Sequence, residues 1–215
     1  NSNVLESFGS TINVASITTD APGSVSLGGT VTTTGNQTFN DAIVAGAITL
    51  NAGGTLTATN VGNDFTGAVN ASGSSISIVD VNALTASVNS TGATSLAAGT
   101  TLGVSGATGT TLTTSSGGAT TFGATSVGSN LSVTSGGTVS GGALDVGGTT
   151  TINAGANAIT LNAANDFTGA VSLTGGTTLV NDVTDLTLGT VNATALTVIS
   201  NGALNLGTLN ATSLT

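Results

Sequence analysis

Asp182 and Asp185 form the closest pair of acidic residues in the chain. Two carboxylates could serve as acid and base in the cleavage of a polysaccharide. The chain contains no His, Lys, Arg, Tyr or Trp, so nothing beside the pair could separate their pKa values or stack on a sugar ring. An earlier repeat has Asp80 and Ala83 at the matching positions, so the pair is not a repeated feature. Polysaccharide cleavage is therefore the least favoured hypothesis, and we predict no catalytic residue.

The same stretch offers a weak candidate for calcium, formed by Asn181, Asp182 and Asp185. Their side chains provide oxygen ligands of the type that Ca²⁺ prefers, but Ca²⁺ takes six or more oxygens and three residues supply fewer. We therefore predict no committed metal site and no cofactor.

A seven-residue motif organises the chain because it occurs twice without change. Residues 63–69 read Asn-Asp-Phe-Thr-Gly-Ala-Val, and residues 165–171 repeat them 102 positions later. The candidate residues of this motif are Asn63, Asp64, Phe65, Gly67, Asn165, Asp166, Phe167 and Gly169. The two Asp residues could bind a cation or a sugar. The simpler interpretation is a structural turn, in which Asn and Asp bond their own backbone, Gly supplies a positive φ and Phe is buried at a corner.

Shorter repeats predict the fold class. Residues 189–197 match residues 207–215, an offset of 18, and residues 112–118 match residues 131–137, an offset of 19. A unit of about twenty residues with two or three short strands is one coil of a β-solenoid. We predict an all-β parallel β-helix with coils of about 18–21 residues. Residues 1–215 would form a single continuous segment of a longer repeat array.

The predicted solenoid carries two specific expectations about its stacked positions. Inward aliphatic side chains should stack in columns, so that Leu186 and Leu204 lie on adjacent coils. Outward polar side chains should form ladders, and Asn192 and Asn210, which are related by the same short offset, are one such pair.

One irregularity in the duplication predicts a local insertion. Residues 47–52 read Ala-Ile-Thr-Leu-Asn-Ala and recur at 158–163, an offset of 111 and not 102. The first copy would then carry nine extra residues, about half a coil. We therefore expect a bulge, a protruding hairpin or an extra side between Gly53 and Gly62.

The charge of the chain excludes two classes of partner. It has no Lys or Arg and a net charge of −9. Binding to nucleic acid requires cations that neutralise phosphates, and attraction to anionic lipid requires them as well. No apolar stretch approaches the length of a membrane span, so we expect no membrane insertion. The absence of Cys is compatible with an oxidising exterior.

Residues 33–50 and 165–179, read together with the coil period, resemble the repeat regions of filamentous-haemagglutinin-like proteins. These are large repetitive surface proteins of Gram-negative bacteria and act as secreted adhesins. The resemblance implies a right-handed parallel β-helix at the cell surface or outside the cell. The family's secretion module has Asn-Pro-Asn signatures, and Pro22, the only Pro, does not match them.

We therefore expect a structural, non-catalytic protein that forms an adhesin shaft or a cell-surface filament. Its partners would be further coils or further copies placed end to end, and a host or neighbouring-cell surface. The alternative is a Thr-rich solenoid that binds ice, which requires Thr-x-Thr, as in Thr55-Leu56-Thr57, at the same position of successive coils. The outward Thr, Ser, Asn and Asp residues alternate irregularly along the sequence, which makes this hypothesis the second choice.

Overall fold

The computed structural model describes residues 5–8 and 11–215, and only the backbone of residues 5–8. The described residues form strands and turns and contain no helix. No helix that could cross a membrane is therefore found among them. The strands are β1 Leu5–Phe8, β2 Thr11–Val14, β3 Ile17–Thr19, β4 Ser24–Thr33, β5 Gln37–Phe39, β6 Ala42–Ala52, β7 Thr55–Ala58, β8 Asp64–Phe65, β9 Val69–Gly73, β10 Ser75–Asp80, β11 Leu84–Ser90, β12 Thr94–Ala98, β13 Leu102–Thr108, β14 Leu112–Ser116, β15 Thr120–Val127, β16 Leu131–Ser135, β17 Val139–Gly141, β18 Leu144–Val146, β19 Thr150–Asn153, β20 Ile159–Phe167, β21 Val171–Thr174, β22 Thr177–Asp182, β23 Leu186–Ser200, β24 Leu204–Asn205 and β25 Thr208–Leu214.

Strands inside the stack pair in parallel with a strand one coil earlier and a strand one coil later, apart from β8, whose described pairing is with β6. The length of a coil varies a little, because Thr94 has Leu112 as its register neighbour, whereas Thr150 has the more distant Val171. About eleven coils stack in this way, which confirms the predicted β-solenoid. Short strands of this kind are stable only because neighbours on both sides complete their hydrogen bonds.

Each coil has three short segments. In one coil the first segment is β12, and β13 is divided by a register shift between Val104 and Gly106 into a second and a third segment. Gly106 has φ of 108°, a conformation open to Gly because it lacks a Cβ. A similar shift divides β4, where Gly29 has φ of 69°.

The core runs along the inside of the stack as one continuous cluster, from Val25 to Leu196. Inward and outward residues alternate along the strands, as in the pattern of β12, where every second side chain is buried. Leu186 pairs directly with Leu204, as predicted. Leu186 is fully buried, whereas Leu204 in the last coil is 43% exposed, because no later coil in the structure covers it.

The interior also contains hydroxyl groups, which the sequence patterns did not predict. The Ser90 hydroxyl lies 2.7 Å from that of Thr94 and 2.9 Å from that of Thr108, and all three residues are buried. Thr108 donates to the carbonyl oxygen of Gly92 at 2.8 Å. Polar groups can therefore occupy core positions at a corner, because they satisfy each other and the turn backbone.

The predicted protrusion between Gly53 and Gly62 is wrong. This stretch contains β7, which pairs in register with β5 and β10. Ile48 and Ile159 lie in the same segment, because their pairings lead to Val104 and Leu102 of β13. The offsets differ because the seven-residue motif follows on the next coil after Ile48, beyond β7, but on the same strand as Ile159, in β20. What remains is an exposed turn at residues 59–62, in which Val61 is 78% exposed.

Glycines at the corners permit the coils to approach closely. Gly109, Gly128 and Gly147 lie on successive coils at the turn before the first segment. A Cβ on Gly128 would overlap the carbonyl oxygen of Gly109, and this atom belongs to the backbone, which cannot move aside cheaply. The requirement is steric, since Gly128 is not among the described residues with positive φ.

The substitution Gly128→Ala should therefore destabilise the solenoid. Overpacking of this kind costs about 1–3 kcal/mol, and each kcal/mol lowers the melting temperature of a chain of this size by about 2–4 °C. The matched control is Gly46→Ala, because a Cβ on Gly46 has no atom within 4 Å. Thermal unfolding followed by circular dichroism measures both. Equal melting temperatures for the two variants would contradict this account of the corners.

Candidate functional site

The three calcium candidates do not form an open ligand set. Asp182 is fully buried, and both of its carboxylate oxygens accept hydrogen bonds from the protein. Oδ2 accepts the N–H of Phe167 at 2.9 Å, and Oδ1 accepts the N–H and the hydroxyl of Thr184 at 2.8 and 3.0 Å. Asp185 is exposed, and its Oδ1 accepts the N–H of Ala203 at 2.7 Å. These oxygens are occupied by contacts to neighbouring coils and, for Asp182 Oδ1, by contacts within its own turn.

The third candidate, Asn181, also contributes to the stacking of coils. Its Nδ2 donates to the carbonyl oxygen of Ala163 at 3.1 Å, one coil earlier. Within the described residues, no group of three or more His, Cys, Asp or Glu side chains is placed to hold a metal ion.

Asn63, the first residue of the duplicated motif, connects three successive coils. It follows β7 and is fully buried. Its Oδ1 accepts the N–H of Ile43 at 2.8 Å, on the previous coil. Its Nδ2 donates to the carbonyl oxygens of Ala58 at 2.8 Å and Val79 at 3.0 Å, on its own coil and the next. One amide thus satisfies three backbone groups that would otherwise be buried without partners.

Asp80 completes the arrangement from the next coil. It ends β10, and its side chain is 1% exposed. Its Oδ2 accepts the N–H of Phe65 at 3.2 Å, and its Oδ1 accepts the N–H of Asn82 at 2.8 Å. We call Asn63, Phe65 and Asp80 the first corner lock. Phe65 is 2% exposed, which confirms the prediction that it is buried.

The second copy of the motif builds the same arrangement. Asn165 Oδ1 accepts the N–H of Leu144 at 3.0 Å, on the previous coil. Its Nδ2 donates to carbonyl oxygens on its own coil and to that of Asn181 at 2.8 Å, on the next. We call Asn165, Phe167 and Asp182 the second corner lock. Both Asn165 and Phe167 are fully buried.

The two locks lie on different segments of their coils. Phe65 pairs with Ala45, in the second segment. Phe167 pairs with Val146, which pairs with Val127 in the third segment. The same seven residues therefore form the same hydrogen bonds at two positions around the solenoid axis.

The prediction of an ordinary turn is thus wrong in two respects. Asn63 and Asn165 bond mainly across coils, not only within their own turn. Gly67 and Gly169 are absent from the described residues with positive φ. They are needed because a Cβ would overlap the preceding coil, at Ala47 for Gly67 and at Gly148 for Gly169.

The motif's own carboxylates lie on the outside of the locks. Asp64 Oδ1 accepts a hydrogen bond from Asn82 Nδ2 at 3.2 Å, and Asp166 Oδ1 accepts one from the Thr184 hydroxyl at 3.0 Å. Both residues are half-buried. They extend each lock by one outward contact to the next coil.

Sequence reasoning missed the role of Asp80 and Asp182, although a signal was present. The spacing from Asn63 to Asp80 is identical to the spacing from Asn165 to Asp182, and it is slightly shorter than one coil. Such a fixed distance between two polar residues predicts that they meet at a corner.

Burial raises the pKa of the Asp80 carboxyl above its usual value. The N–H groups of Asn82 and Phe65 act in the opposite direction, and the neighbouring Asp64 carboxylate adds to the increase. The chain offers no Lys, Arg or His to compensate. Folding therefore favours the protonated form of Asp80.

A shallow surface groove of about 450 Å³ lies on the last coils. Thr174, Asn192 and Asn210 are among the residues that line it, and no carboxylate or aromatic side chain does. Asn192 and Asn210 are register partners, and Asn210 Nδ2 donates to Asn192 Oδ1 at 3.4 Å, which confirms the predicted ladder. The groove is thus a polar surface without groups suited to acid–base chemistry.

The substitution Asn165→Ala should destabilise the solenoid more than Asn162→Ala. Loss of the Asn165 amide leaves the buried N–H of Leu144 without a partner, which costs about 1–3 kcal/mol. Asn162 is exposed, and its side chain makes no hydrogen bond. Urea unfolding followed by circular dichroism gives both free energies, and equal values would contradict the lock.

The raised pKa of Asp80 predicts how stability depends on pH. The contribution of Asp80 to the free energy of unfolding is fully present below the unfolded pKa of about 3.9. It is lost as the pH rises through the higher folded pKa. The melting temperature of the wild type should therefore fall more between about pH 3 and about pH 7 than that of Asp80→Asn. The control Asp145→Asn removes one exposed carboxylate and should keep the wild-type dependence; the opposite ranking would refute the assignment.

A family described as "Repeats of unknown function (DUF5649)" matches residues 107–174. The matched region runs from β13 to β21 and covers less than half of the chain. No curated protein and no solved structure matched the chain. Together with the stacked coils, the match identifies a repeat protein with a β-solenoid fold.

Proposed function

We propose that this chain is a structural segment of an extracellular or cell-surface protein of a Gram-negative bacterium. It serves as an adhesin shaft or as part of a surface filament, and it is not an enzyme. The observation that carries the proposal is the unbroken parallel stack, in which one core extends from Val25 to Leu196. Such a stack transmits force along its axis through hydrogen bonds that join every coil to the next.

The cross-linking of coils supports a load-bearing role. Asn63 and Asn165 each bond to the backbone of three successive coils. These bonds are buried, where water cannot compete for the groups. A rod in which the corners are fixed in this way resists bending and local opening.

The burial and hydrogen bonding of the Asp182 carboxylate support a role without catalysis. A general acid or base needs a carboxyl group that can reach a substrate. Both oxygens of Asp182 accept hydrogen bonds within the buried corner, so the pair with Asp185 offers one accessible carboxylate only. The polysaccharide-cleaving hypothesis loses its best candidate by this geometry.

Composition supports a location outside the cell. The chain has no Lys or Arg, so it presents no site for trypsin-like proteases, and it has no thiol that an oxidising exterior would modify. The resemblance of residues 33–50 and 165–179 to filamentous-haemagglutinin-like repeats supports the same location.

The geometry of the stack supports end-to-end partners. Successive coils join by the same parallel backbone pairing, as between β14 and β16 and between β16 and β19. A further coil, from the same polypeptide or another copy, would add to the stack through this pairing. The target of the shaft would be a host or neighbouring-cell surface.

The location is tested with antibodies raised against the folded segment. Intact cells of the bacterium that makes the protein should be labelled, with gold particles along projections in electron micrographs. A cytoplasmic protein, labelled in parallel, should be detected only after lysis. Labelling of this segment only after lysis would overturn the proposal.

The shaft role is tested by removing one coil. Deletion of residues 94–111 joins Ala93 to Leu112, and Leu112 takes the place of its register partner Thr94. The purified segment should remain folded and become shorter by about 4.8 Å. Deletion of residues 94–102 removes half a coil and should abolish cooperative unfolding, because it breaks the register. Similar behaviour of both deletions would contradict a modular rod.

A further inference from the structure

We propose that the outer face of the first segments binds ice. This face carries a column of hydroxyl groups, one per coil, which we call the hydroxyl column. Its members are Thr18, Thr38, Thr57, Ser77, Ser95, Thr113, Ser132, Thr151 and Ser172, each paired in register with the next. No other residue type interrupts the column over nine coils.

The sequence had suggested that outward polar residues alternate irregularly. The register corrects this interpretation for one outward position of the first segment. The spacing in the sequence between successive members varies, and it is shorter from Ser77 to Ser95 than from Thr151 to Ser172. Because the turns absorb these differences, the hydroxyl groups stand in line although their spacing in the sequence is uneven.

Most hydroxyl groups of the column make no hydrogen bond within the protein. From Thr38 to Thr151, no side-chain hydroxyl of the column makes a hydrogen bond to another protein group. Ser172 differs, because its Oγ accepts the N–H of Thr190 at 3.2 Å. Ser95, Thr113, Ser132 and Thr151 are exposed in succession. Their donors and acceptors therefore face solvent, where ordered water could bond to each.

The spacing of the column is fixed by the backbone. Adjacent strands of a sheet lie about 4.8 Å apart, and positions two residues apart along a strand are separated by about 6.6 Å. Where the outward residues read Thr55-x-Thr57-x-Thr59, and again at Thr111 and Thr113, the column gains neighbours along the strand. On other coils the neighbouring outward positions carry other residues, such as Val79 and Ala97. The hydroxyl column itself is therefore the continuous feature, and it stands on a rigid sheet that loses little entropy on binding.

The chemical character of the outer face of the first segments indicates which ligand it can bind. Between Asn36 and Asn153 the outward positions of the first segments carry no charge and no aromatic ring. A soluble sugar would meet no stacking platform, and a charged partner would meet no counter-charge. One weak contact per coil becomes strong binding only when the partner repeats with the same rigidity, since the contacts then act together. The surface of ice is such a partner, because its water molecules form a periodic array of donors and acceptors.

The test compares two substitutions in neighbouring segments. Thr113→Tyr places a large side chain in the middle of the hydroxyl column, and Thr121→Tyr places one on the outer face of the second segment. Both positions are exposed, and Tyr is favourable in strands. Thermal hysteresis and the shape of ice crystals are measured for wild type and both variants, and circular dichroism verifies that each is folded.

The wild type should slow ice growth and produce faceted crystals. Thr113→Tyr should lose most of the hysteresis, and Thr121→Tyr should keep it. Ser132→Tyr, one coil later in the column, should behave as Thr113→Tyr does and covers the case in which that variant fails to fold. Round crystals without hysteresis for the wild type would overturn the proposal. So would an equal loss in Thr121→Tyr, or retention of the wild type on crystalline polysaccharide without any effect on ice.

Discussion

The structure depends on the fixed distance at which one coil hydrogen-bonds to the next. Parallel backbone pairing sets this distance at about 4.8 Å on every segment, and the corners must obey it as well. A corner residue therefore either has a side chain that fits between two backbones or has no side chain. Gly128 has none, because its position leaves no room for a Cβ beside Gly109. Asn63 has a side chain that fits, because its amide bonds to the coils on both sides.

The same constraint explains how a chain without a single cation can bury carboxylates. Asp80 and Asp182 are both almost completely buried. Backbone N–H groups at the corners take the place of ion pairs, two for Asp80 and two for Asp182 together with the Thr184 hydroxyl. Since each segment ends in a similar corner, an identical motif can form its lock on the second segment in one coil and on the third in another.

The repeats in the sequence were sufficient to predict the solenoid, the coil length and pairs such as Leu186 with Leu204 and Asn192 with Asn210. They left open whether a coil has two or three segments, because a bend at Gly106 depends on backbone conformation and not on a pattern of hydrophobic residues. The offset of 111 suggests an insertion because the sequence does not show that the two copies of the seven-residue motif lie on different segments. The corner locks are hard to predict for two reasons. Asn63 and Asp80 are far apart in sequence, which hides their contact, and both are polar, which suggests a surface position. The hydroxyl column was missed because turns of different length hide its period.

Distances between spin labels along the hydroxyl column test the central claim most directly. The chain has no Cys, so two labels can be attached at introduced Cys residues without background. Thr57 and Thr151 are five register steps apart, and Thr38 lies one step before Thr57. The separation for the Thr38/Thr151 pair should exceed that for the Thr57/Thr151 pair by about 4.8 Å, and both distributions should be narrow. Equal separations, or distributions too broad to distinguish, would contradict a solenoid of coils stacked in register.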